Sequence, residues 1–252
     1  MPRFLNQVTL ILLSIIIAMP AIADELPTVL FDQGHNQRFL INSEGPLQLT
    51  GLAGIFREQG FTVQAHSGVI GPANLTGARA LVISGAFKPF TPAEIDAISG
   101  YLDNGGRLAV MLHIGPPLKP LLDKLGVVVS NGVLHEQENL VKTDDLSFMV
   151  TRFAADPLTA GLDKFSLYGG WGLLNRGTGT AVLAKTGDKA WIDLNGDRKL
   201  SAEDAVQSYA VIVSGTYGKG RFVIFGDDAI FQNQFLDEHN AKLAANLAKW
   251  LK

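Results

Sequence analysis

The sequence contains no cysteine among its 252 residues, so disulfides, thiolate metal sites and cysteine nucleophiles are all excluded. It also lacks a strong charge of one sign, because 21 lysines and arginines stand against 24 aspartates and glutamates, for a formal net charge of −3. No cluster of basic residues stands out along the chain, which argues against nucleic acid as a partner. The chain also has no internal repeat and no second long apolar run after its N-terminal segment.

The first 23 residues have the features of an export signal. Arg3 provides a positive charge, residues 8–18 are almost entirely apolar, and residues 21–23 read Ala-Ile-Ala, a small-x-small pattern typical of signal peptidase cleavage. The apolar run is too short to span a bilayer comfortably. We therefore predict a signal peptide over residues 1–23 and a periplasmic or secreted mature protein, with no membrane span after signal cleavage. An uncleaved N-terminal anchor is the alternative.

Strand and helix patterns alternate in the first half of the mature chain. The predicted helix after residue 90 has the clearest start, because Thr91 is a good N-cap, Pro92 suits the first turn and Glu94 completes a capping box. Apolar runs and helical spacing predict strands over 28–31, 61–64, 80–83 and 108–111, and helices over 47–59 and 91–104. This alternation indicates an α/β domain with a mostly parallel sheet and helices on its faces.

From residue 127 onward the pattern changes to shorter β segments. A hairpin is predicted from strands over residues 209–214 and 221–225, and the chain closes with a predicted helix over 237–251. We interpret residues 24–252 as a single α/β domain with a β-rich insertion rather than as two domains.

Residues 193–204 carry oxygen donors at the spacing of a calcium-binding loop. Loop positions 1, 3, 5, 7 and 12, which supply calcium ligands in such loops, are occupied by Asp193, Asn195, Asp197, the carbonyl of Lys199, and Asp204. Arg198 stands at position 6, where the sharp turn normally requires glycine. Because the closing residue is aspartate, the loop resembles the calcium loops of dockerin modules.

The segments on both sides of this loop are predicted to be strands, which places the loop in a hairpin over residues 189–213. No long helix pair is available to open when the ion binds. The sequence therefore predicts calcium as a structural cofactor that stabilises the hairpin, and a solvated acidic turn is the alternative.

Several motifs resemble exported proteins with a class I glutamine amidotransferase-like, flavodoxin-like domain. They are Asp-Gln-Gly-His-Asn at 32–36, Phe-Thr-Pro-Ala-Glu-Ile at 90–95 followed by Gly-Gly-Arg-Leu at 105–108, and Gly-Lys-Gly-Arg at 218–221 followed by Gly-Asp-Asp at 226–228. Related families would be the GIFT domain of intraflagellar transport and accessory proteins of gliding-type transporters. The resemblance implies a flavodoxin-like three-layer sandwich with a mostly parallel sheet.

The resemblance implies a fold but not an activity. Enzymatic amidotransferases carry a cysteine nucleophile on a tight strand-to-helix turn, whereas the turn after the fourth predicted strand, residues 112–117, reads Leu-His-Ile-Gly-Pro-Pro. Glutamine hydrolysis by that route is therefore excluded. No serine lies in a Gly-x-Ser-x-Gly elbow either, which further disfavours an enzyme.

Polar side chains follow the predicted strands, where ligands gather in open α/β sheets. These candidate ligand-binding residues are Asp32, His35, Asn36, His113, Asp227 and Asp228. Asp32 could fix the tautomer of His35 and raise its basicity, as a general base or a metal ligand requires, or the pair could simply hold its own loop. Asp227 and Asp228 could bind a cation, but we favour a role in capping the next helical turn.

The sequence predicts an exported, non-catalytic binding or accessory protein with a structural calcium ion. Its partner would be a small molecule or an envelope protein that binds near Asp32, His35 and Asp227. The alternative is a periplasmic hydrolase that uses Asp32 and His35, or His113, at the strand-end cleft.

Overall fold

The computed structural model describes residues 25–252, so the predicted signal peptide lies outside the described residues. The strands in this range are β1 (Thr28–Asp32), β2 (Thr62–His66), β3 (Ala78–Ser84), β4 (Arg107–Met111), β5 (Val127–His135), β6 (Leu140–Val141), β7 (Asp144–Val150), β8 (Arg152–Phe153), β9 (Phe165–Tyr168), β10 (Trp171–Asn175), β11 (Thr180–Lys185), β12 (Trp191–Ile192), β13 (Ala205–Val206), β14 (Ala210–Tyr217) and β15 (Gly220–Phe225). The helices are α1 (Thr50–Glu58), α2 (Pro72–Leu75), α3 (Pro92–Asp103), α4 (Lys119–Lys124) and α5 (Glu238–Leu251). Within residues 25–252, every helix is too short or too polar to cross a membrane.

Five strands form the parallel part of a twelve-stranded sheet. Their spatial order is β15, β4, β3, β1, β2, and each neighbouring pair is parallel. The inner strands of this part are apolar because helices cover both faces of the sheet, whereas the edge strand β2 is largely exposed. In β15, for example, Val223 and Phe225 pack in one core with α1 and α5, whereas Phe222 and Ile224 pack in the other core with α3 and α4.

The loops after β1 and β3 lie at the point where the winding of the sheet reverses. From β1 the chain passes through α1 to β2 on one side, and it then crosses to β3 on the other side of β1. In open sheets such a reversal leaves a crevice at the carboxyl ends of the strands. The fold therefore brings polar residues after β1 and β3 to one edge.

The other seven strands of this sheet are paired antiparallel. β14 pairs with β15 as a hairpin, β10, β5, β12 and β13 continue the sheet in that order, and β11 bridges β14 and β8. A separate three-stranded sheet contains β6, β7 and β9. Antiparallel neighbours need only short connections, which is why helices become rare after α4.

This architecture corrects the predicted fold class. Seven of the eleven strand pairs that the described residues form in the large sheet are antiparallel, so the fold is a β-rich mixed sheet. The prediction of a mostly parallel, flavodoxin-like three-layer sandwich is wrong. The first four strands and the hairpin before residue 226 are confirmed as elements. The error is in their pairing, because the β-rich region extends the same sheet instead of forming an insertion.

The capping box that the sequence predicts for α3 is confirmed. The Glu94 amide donates to the Thr91 hydroxyl at 3.3 Å, and the Thr91 amide donates to the Glu94 carboxylate at 2.9 Å. This reciprocal pair fixes the first turn of α3 next to the loop that follows β1. It thereby holds a buried carboxylate at the edge of the sheet.

Candidate functional site

The turn after β1 places His35 against Asp32. Asp32 ends β1 and accepts a hydrogen bond from the Gly34 amide at 3.0 Å, while the His35 amide donates to the Gln37 side chain at 2.7 Å. Asn36 takes the left-handed conformation with φ of 59°, which reverses the chain. These local bonds bring Nδ1 of His35 to 2.8 Å from Oδ2 of Asp32, and the Gln37 side-chain amide donates to the same oxygen.

The opposite side of the His35 ring is held by α3. Nε2 lies 3.0 Å from Oε1 of Glu94, and the ring stacks on Phe90 with a centroid distance of 3.6 Å. Glu94 is itself fixed by hydrogen bonds from the amides of Ile70 at 3.0 Å and Thr91 at 2.9 Å. The imidazole therefore lies between two carboxylates. We call Asp32, His35, Gln37 and Glu94 the His35 cluster.

The two carboxylates set the protonation of the His35 cluster. Burial lowers the pKa of His35, but the hydrogen bond and charge of Asp32 and then the charge of Glu94 raise it above its ordinary value. Burial works against ionisation of Glu94, yet the bonds from Thr91 and Ile70 lower the pKa of its carboxyl to about 2. His35 is only 3% exposed. This geometry leaves neither ring nitrogen for a substrate or a metal, and it favours a role in holding the loop.

A second histidine lies at the same edge, after β4. Nδ1 of His113 is 3.0 Å from Oδ1 of Asp228, and the Asp228 amide donates to the Leu112 carbonyl at 3.0 Å. The His113 side chain is 37% exposed, whereas that of Asp228 is 1% exposed. The hydrogen bond to Asp228 raises the pKa of His113 more than burial lowers it. His113 is therefore an accessible imidazole that is more often protonated than an ordinary histidine.

Aromatic rings surround His113. The centroids of Phe39 and Phe87 lie 5.1 Å and 5.0 Å from that of the imidazole, and the guanidinium carbon of Arg38 lies 5.0 Å from the Phe87 centroid. The indole of Trp171 donates to the His113 carbonyl at 3.0 Å and fixes the backbone. The His113 imidazole is therefore bordered by aromatic surface.

Asp227 is buried and bonded to the backbone. Its carboxylate accepts hydrogen bonds from the amides of Tyr168 at 2.6 Å and Ala229 at 2.8 Å. Burial and the adjacent Asp228 raise the pKa of Asp227 to about 8. The bond to Ala229, which begins a 3-10 helix, favours the capping role over cation binding.

Asp228 has one carboxylate oxygen bonded to His113 and one without a partner. Oδ2 is buried and forms no hydrogen bond among the described residues, and the same holds for the hydroxyl of Ser84. Burial raises the pKa of Asp228, opposed by the hydrogen bond from His113. The adjacent Gly85 has φ of +61°, and a Cβ atom there would lie 2.4 Å from Oδ2. Only glycine lets the backbone approach this carboxylate so closely.

The structure thus separates the predicted candidates into two groups. Asp32 and His35 belong to the His35 cluster, Asn36 is exposed beside it, and His113, Asp227 and Asp228 form a second group. We call this second group, with Phe39 and Phe87, the strand-end site. The two groups are neighbours, because the amides of Phe87 and Lys88 both donate to the His35 carbonyl at 3.0 Å.

Sequence reasoning missed several residues of both groups. Glu94 was recognisable only as a capping residue, since it lies 59 positions from His35. Phe39, Phe87 and Trp171 come from three different loops or strands, and no local pattern connects them. Gln37 was the easiest of these residues to predict from the sequence, because its side-chain amide lies in the same turn as Asp32 and His35.

The predicted calcium loop forms a network of local hydrogen bonds. Asp193 accepts from the amides of Gly196 at 2.6 Å and Arg198 at 2.8 Å, and Arg198 takes the left-handed φ of 59°. The other predicted side-chain ligands accept from amides in the same way, namely Asn195 from Asp197, Asp197 from Lys199, and Asp204 from Leu194 and Ser201. Within residues 25–252, no group of three or more His, Cys, Asp or Glu side chains could hold a metal ion. Two of the five predicted ligands, Asn195 and the carbonyl of Lys199, are not residues of these types, so calcium binding by this loop stays a prediction.

Two surface depressions lie away from the strand ends. One has a volume of about 410 Å³ and lies between β5, β10 and β14, and the other, of about 570 Å³, is lined by residues that include His135, Asp145 and Asp193. Size alone would favour these two. We favour the strand-end site, because an accessible imidazole and two buried carboxylates with shifted pKa values meet there.

A family model described as "Domain of unknown function (DUF4350)" matches residues 41–248. The chain is also 24% identical over 215 residues to the intraflagellar transport protein 52 homolog of Mus musculus, and the match covers 75% of this chain. It covers 48% of the mouse protein, so the chain spans about half the length of this curated relative.

Two solved structures share the fold. The mmIFT52 N-terminal domain has a TM-score of 0.72 at 20% identity, with 88% of this chain and 96% of that chain covered. A ThuA-like protein from Bacteroides uniformis has a TM-score of 0.55 at 16% identity, with 93% and 95% covered.

These comparisons correct the predicted family. Neither the family model nor these similar proteins is described as glutamine amidotransferase-like, as a GIFT domain, as a gliding-type transporter accessory protein or as a dockerin, so the predicted resemblance is wrong. The comparisons give no sign of calcium binding either. The motifs behind the predicted family are each only a few residues long, so they do not identify a family by themselves.

Proposed function

We propose that this chain, which belongs to the family described as a domain of unknown function (DUF4350), is an exported, non-catalytic binding or accessory protein. Its small-molecule ligand or envelope protein partner contacts the strand-end site. The observation that carries this proposal is the state of the two histidines at the edge of the sheet. His35 is enclosed between two carboxylates, whereas the side chain of His113 is 37% exposed.

The protonation of His113 supports recognition over general-base catalysis. A raised pKa increases the protonated fraction near neutral pH, and a protonated imidazole cannot accept a proton. With Nδ1 bonded to Asp228, Nε2 is the nitrogen left to donate a hydrogen bond to a ligand. The site therefore suits a group that accepts a charge-assisted hydrogen bond.

The surroundings of His113 narrow the chemistry of the ligand. Phe39 and Phe87 offer aromatic surface on two sides of the imidazole, and Arg38 adds a second positive charge beside Phe87. A carboxylate attached to an apolar or aromatic group satisfies both features. Such a group occurs in small organic acids and in peptide segments, which matches the two kinds of partner proposed.

Two further observations support the accessory and exported parts of the proposal. The mouse relative is named as a transport protein rather than as an enzyme. Residues 1–23 carry the charge, apolar run and Ala-Ile-Ala pattern of an export signal. The mass of the protein recovered from the periplasm or the medium tests export, since cleavage after Ala23 leaves a chain that begins at Asp24.

Thermal unfolding with benzoate as the probe tests the binding proposal. We expect benzoate to raise the Tm of the wild type and to leave that of His113→Gln unchanged, because the variant loses the cationic donor. His239→Gln is the matched control, since His239 is a partly exposed histidine in α5 and should keep the response. An equal shift in all three proteins would contradict a site at His113.

A hydrolase with His113 as general base is the second candidate. The 3.0 Å contact between Asp228 and Nδ1 favours it, because a carboxylate in this position fixes the tautomer that leaves Nε2 basic. Hydrolysis of p-nitrophenyl acetate separates the two functions. A binding protein should show no turnover above that of His113→Gln, whereas a hydrolase should lose turnover in that variant while its far-UV circular dichroism stays the same.

A further inference from the structure

Three arginines converge at the amino-terminal ends of neighbouring parallel strands. Arg107 begins β4 and pairs in register with Arg221 of β15, so their backbones are about 4.8 Å apart. Arg79 lies near the start of β3, where the register with β1 skips one residue between Ala78 and Ala80. We call Arg79, Arg107 and Arg221 the arginine cluster. It lies at the opposite end of the parallel strands from the strand-end site.

The end of α5 holds the three side chains together. Arg107 donates to the Trp250 carbonyl at 2.9 Å, Arg221 donates to the same carbonyl, and Arg79 donates to the main-chain oxygen of Lys252 at 2.7 Å. The guanidinium carbon of Arg221 also lies 4.2 Å from the centroid of the Trp250 ring. Each arginine uses one nitrogen for these carbonyls, which leaves other N–H groups for a ligand.

The charge of the cluster exceeds what capping a helix requires. The carboxyl end of a helix carries about −0.5 charge, so three guanidiniums leave an excess of about 2.5. A terminal carboxylate at Lys252 would reduce this excess only to about 1.5. Among residues 25–252, no Asp or Glu forms an ion pair with any of the three arginines. The charge of Asp156 acts on Arg221 without an ion pair, so the positive charge is only partly offset within the described chain.

Burial and, after it, the neighbouring positive charges lower the pKa values of two of the arginines. Burial, Arg221 and Arg79 together lower the pKa of Arg107 to about 10, and burial and Arg79 lower the pKa of Arg221. The Nε atom of Arg221 is buried and has no acceptor among the described residues. A bound anion would stabilise the protonated form of these arginines.

We infer that the arginine cluster is an anion-binding site that takes a phosphate group with close to two negative charges. A phosphomonoester carries about −1.5 to −2 charge at neutral pH, which matches the excess at the cluster. The guanidinium fork matches the oxygens of phosphate, and several arginines can bind one group at once. The group can come from a soluble phosphomonoester or from a phosphorylated lipid headgroup.

Isothermal titration calorimetry of the full chain with inorganic phosphate at constant ionic strength tests this inference. We expect saturable binding to the wild type and binding to Arg79→Gln that is at least about tenfold weaker, because a charge-assisted hydrogen bond is lost. Arg79→Lys keeps the charge without the fork and should bind with intermediate affinity. If Arg79→Gln fails to fold, the phosphate affinity of Arg79→Lys tests the inference in its place.

Arg57→Gln is the matched control. Arg57 is exposed in the last turn of α1, at the same end of the molecule, and the substitution removes the same charge. We expect it to retain phosphate affinity. Equal weakening by Arg57→Gln and Arg79→Gln would show a diffuse basic surface and overturn the site.

Two further probes distinguish the sources of the phosphate group. Binding of glycerol 3-phosphate that depends on Arg79 assigns a soluble phosphomonoester. Sedimentation with phosphatidylcholine vesicles that contain phosphatidic acid, again dependent on Arg79, assigns a lipid headgroup. If the wild type binds none of these probes, the inference is wrong.

Discussion

His35 and His113 have similar partners but different surroundings. Both lie at the carboxyl edge of the parallel strands, and in both an aspartate oxygen lies within 3.0 Å of Nδ1. His35 gains a second carboxylate, Glu94, and is 3% exposed, whereas the side chain of His113 keeps 37% of its surface accessible. The same pair of residue types therefore holds a loop at one position and is available to a ligand at the other.

Removal of His35 should have the largest effect on stability. His35→Ala leaves Asp32 and Glu94 buried without the cation between them, and breaking a buried pair in this way costs about 3–5 kcal/mol. Urea unfolding measures the loss of unfolding free energy, and His113→Ala should lose much less of it because the His113 side chain is 37% exposed. Similar losses in the two variants would erase the distinction between the histidines.

The pH dependence of stability should show both sides of the His35 cluster. The folded pKa of His35 is raised above its ordinary 6.5, so its contribution is complete below that pH and is lost as pH rises through the folded pKa. The pKa of the Glu94 carboxyl is lowered from 4.5 to about 2. Its contribution of about 3 kcal/mol to the free energy of unfolding is therefore present above pH 4.5 and is lost as pH falls towards 2.

Urea unfolding at a series of pH values checks this expectation. The loss of stability at high pH should disappear in His35→Gln, and the loss of stability at low pH should become smaller in Glu94→Gln. Profiles of both variants that run parallel to the wild type would assign the pH dependence to other groups.

Gly85→Ala should have an intermediate effect, and it concerns the strand-end site. The new Cβ would lie 2.4 Å from Oδ2 of Asp228, and φ of +61° strains any L-residue, so we expect a loss of about 1–3 kcal/mol. Gly54→Ala in α1 is the matched control, because its Cβ meets nothing within 4 Å and alanine favours a helix. Thermal unfolding should therefore show a lower Tm for Gly85→Ala than for the wild type, and an unchanged or higher Tm for Gly54→Ala.

Asp228→Asn should have the smallest effect on stability and a clear effect on His113. Burial already raises the pKa of Asp228, so a neutral amide of the same shape is tolerated there. Without the carboxylate, the pKa of His113 should fall, because the hydrogen bond and the charge of Asp228 that raise it are removed. NMR titration of the imidazole resonances measures the pKa of His113. An unchanged pKa in Asp228→Asn would show that Asp228 does not set the protonation of His113.

Part of the fold could be predicted because its signals are local. The capping box of Thr91 and Glu94 and the final helix after Asp237 lie within a few residues of their partners, and both are confirmed. The pairing of β14 with β15 is also local and was predicted. The sheet that these elements join was not, because β5, β10 and β14 pair across long sequence separations that leave no periodic pattern.

The candidate site divides in the same way. Asp32 and His35 are three residues apart, so their contact follows from one turn. The contact of His113 with Asp228 spans 115 positions and depends on the parallel pairing of β4 with β15. Only an arrangement of whole strands brings such residues together.

The amino-acid sequence by itself determined the absence of thiol chemistry, the first strands, the start of α3 and the Asp32–His35 turn, because each depends on composition or on neighbours in the chain. The tertiary structure decided the antiparallel extension of the sheet, the role of each histidine and the arginine cluster, which no run of basic residues indicates. The physical reason is that burial and charge at a side chain are set by residues distant in sequence, and these are known only once the strands have paired.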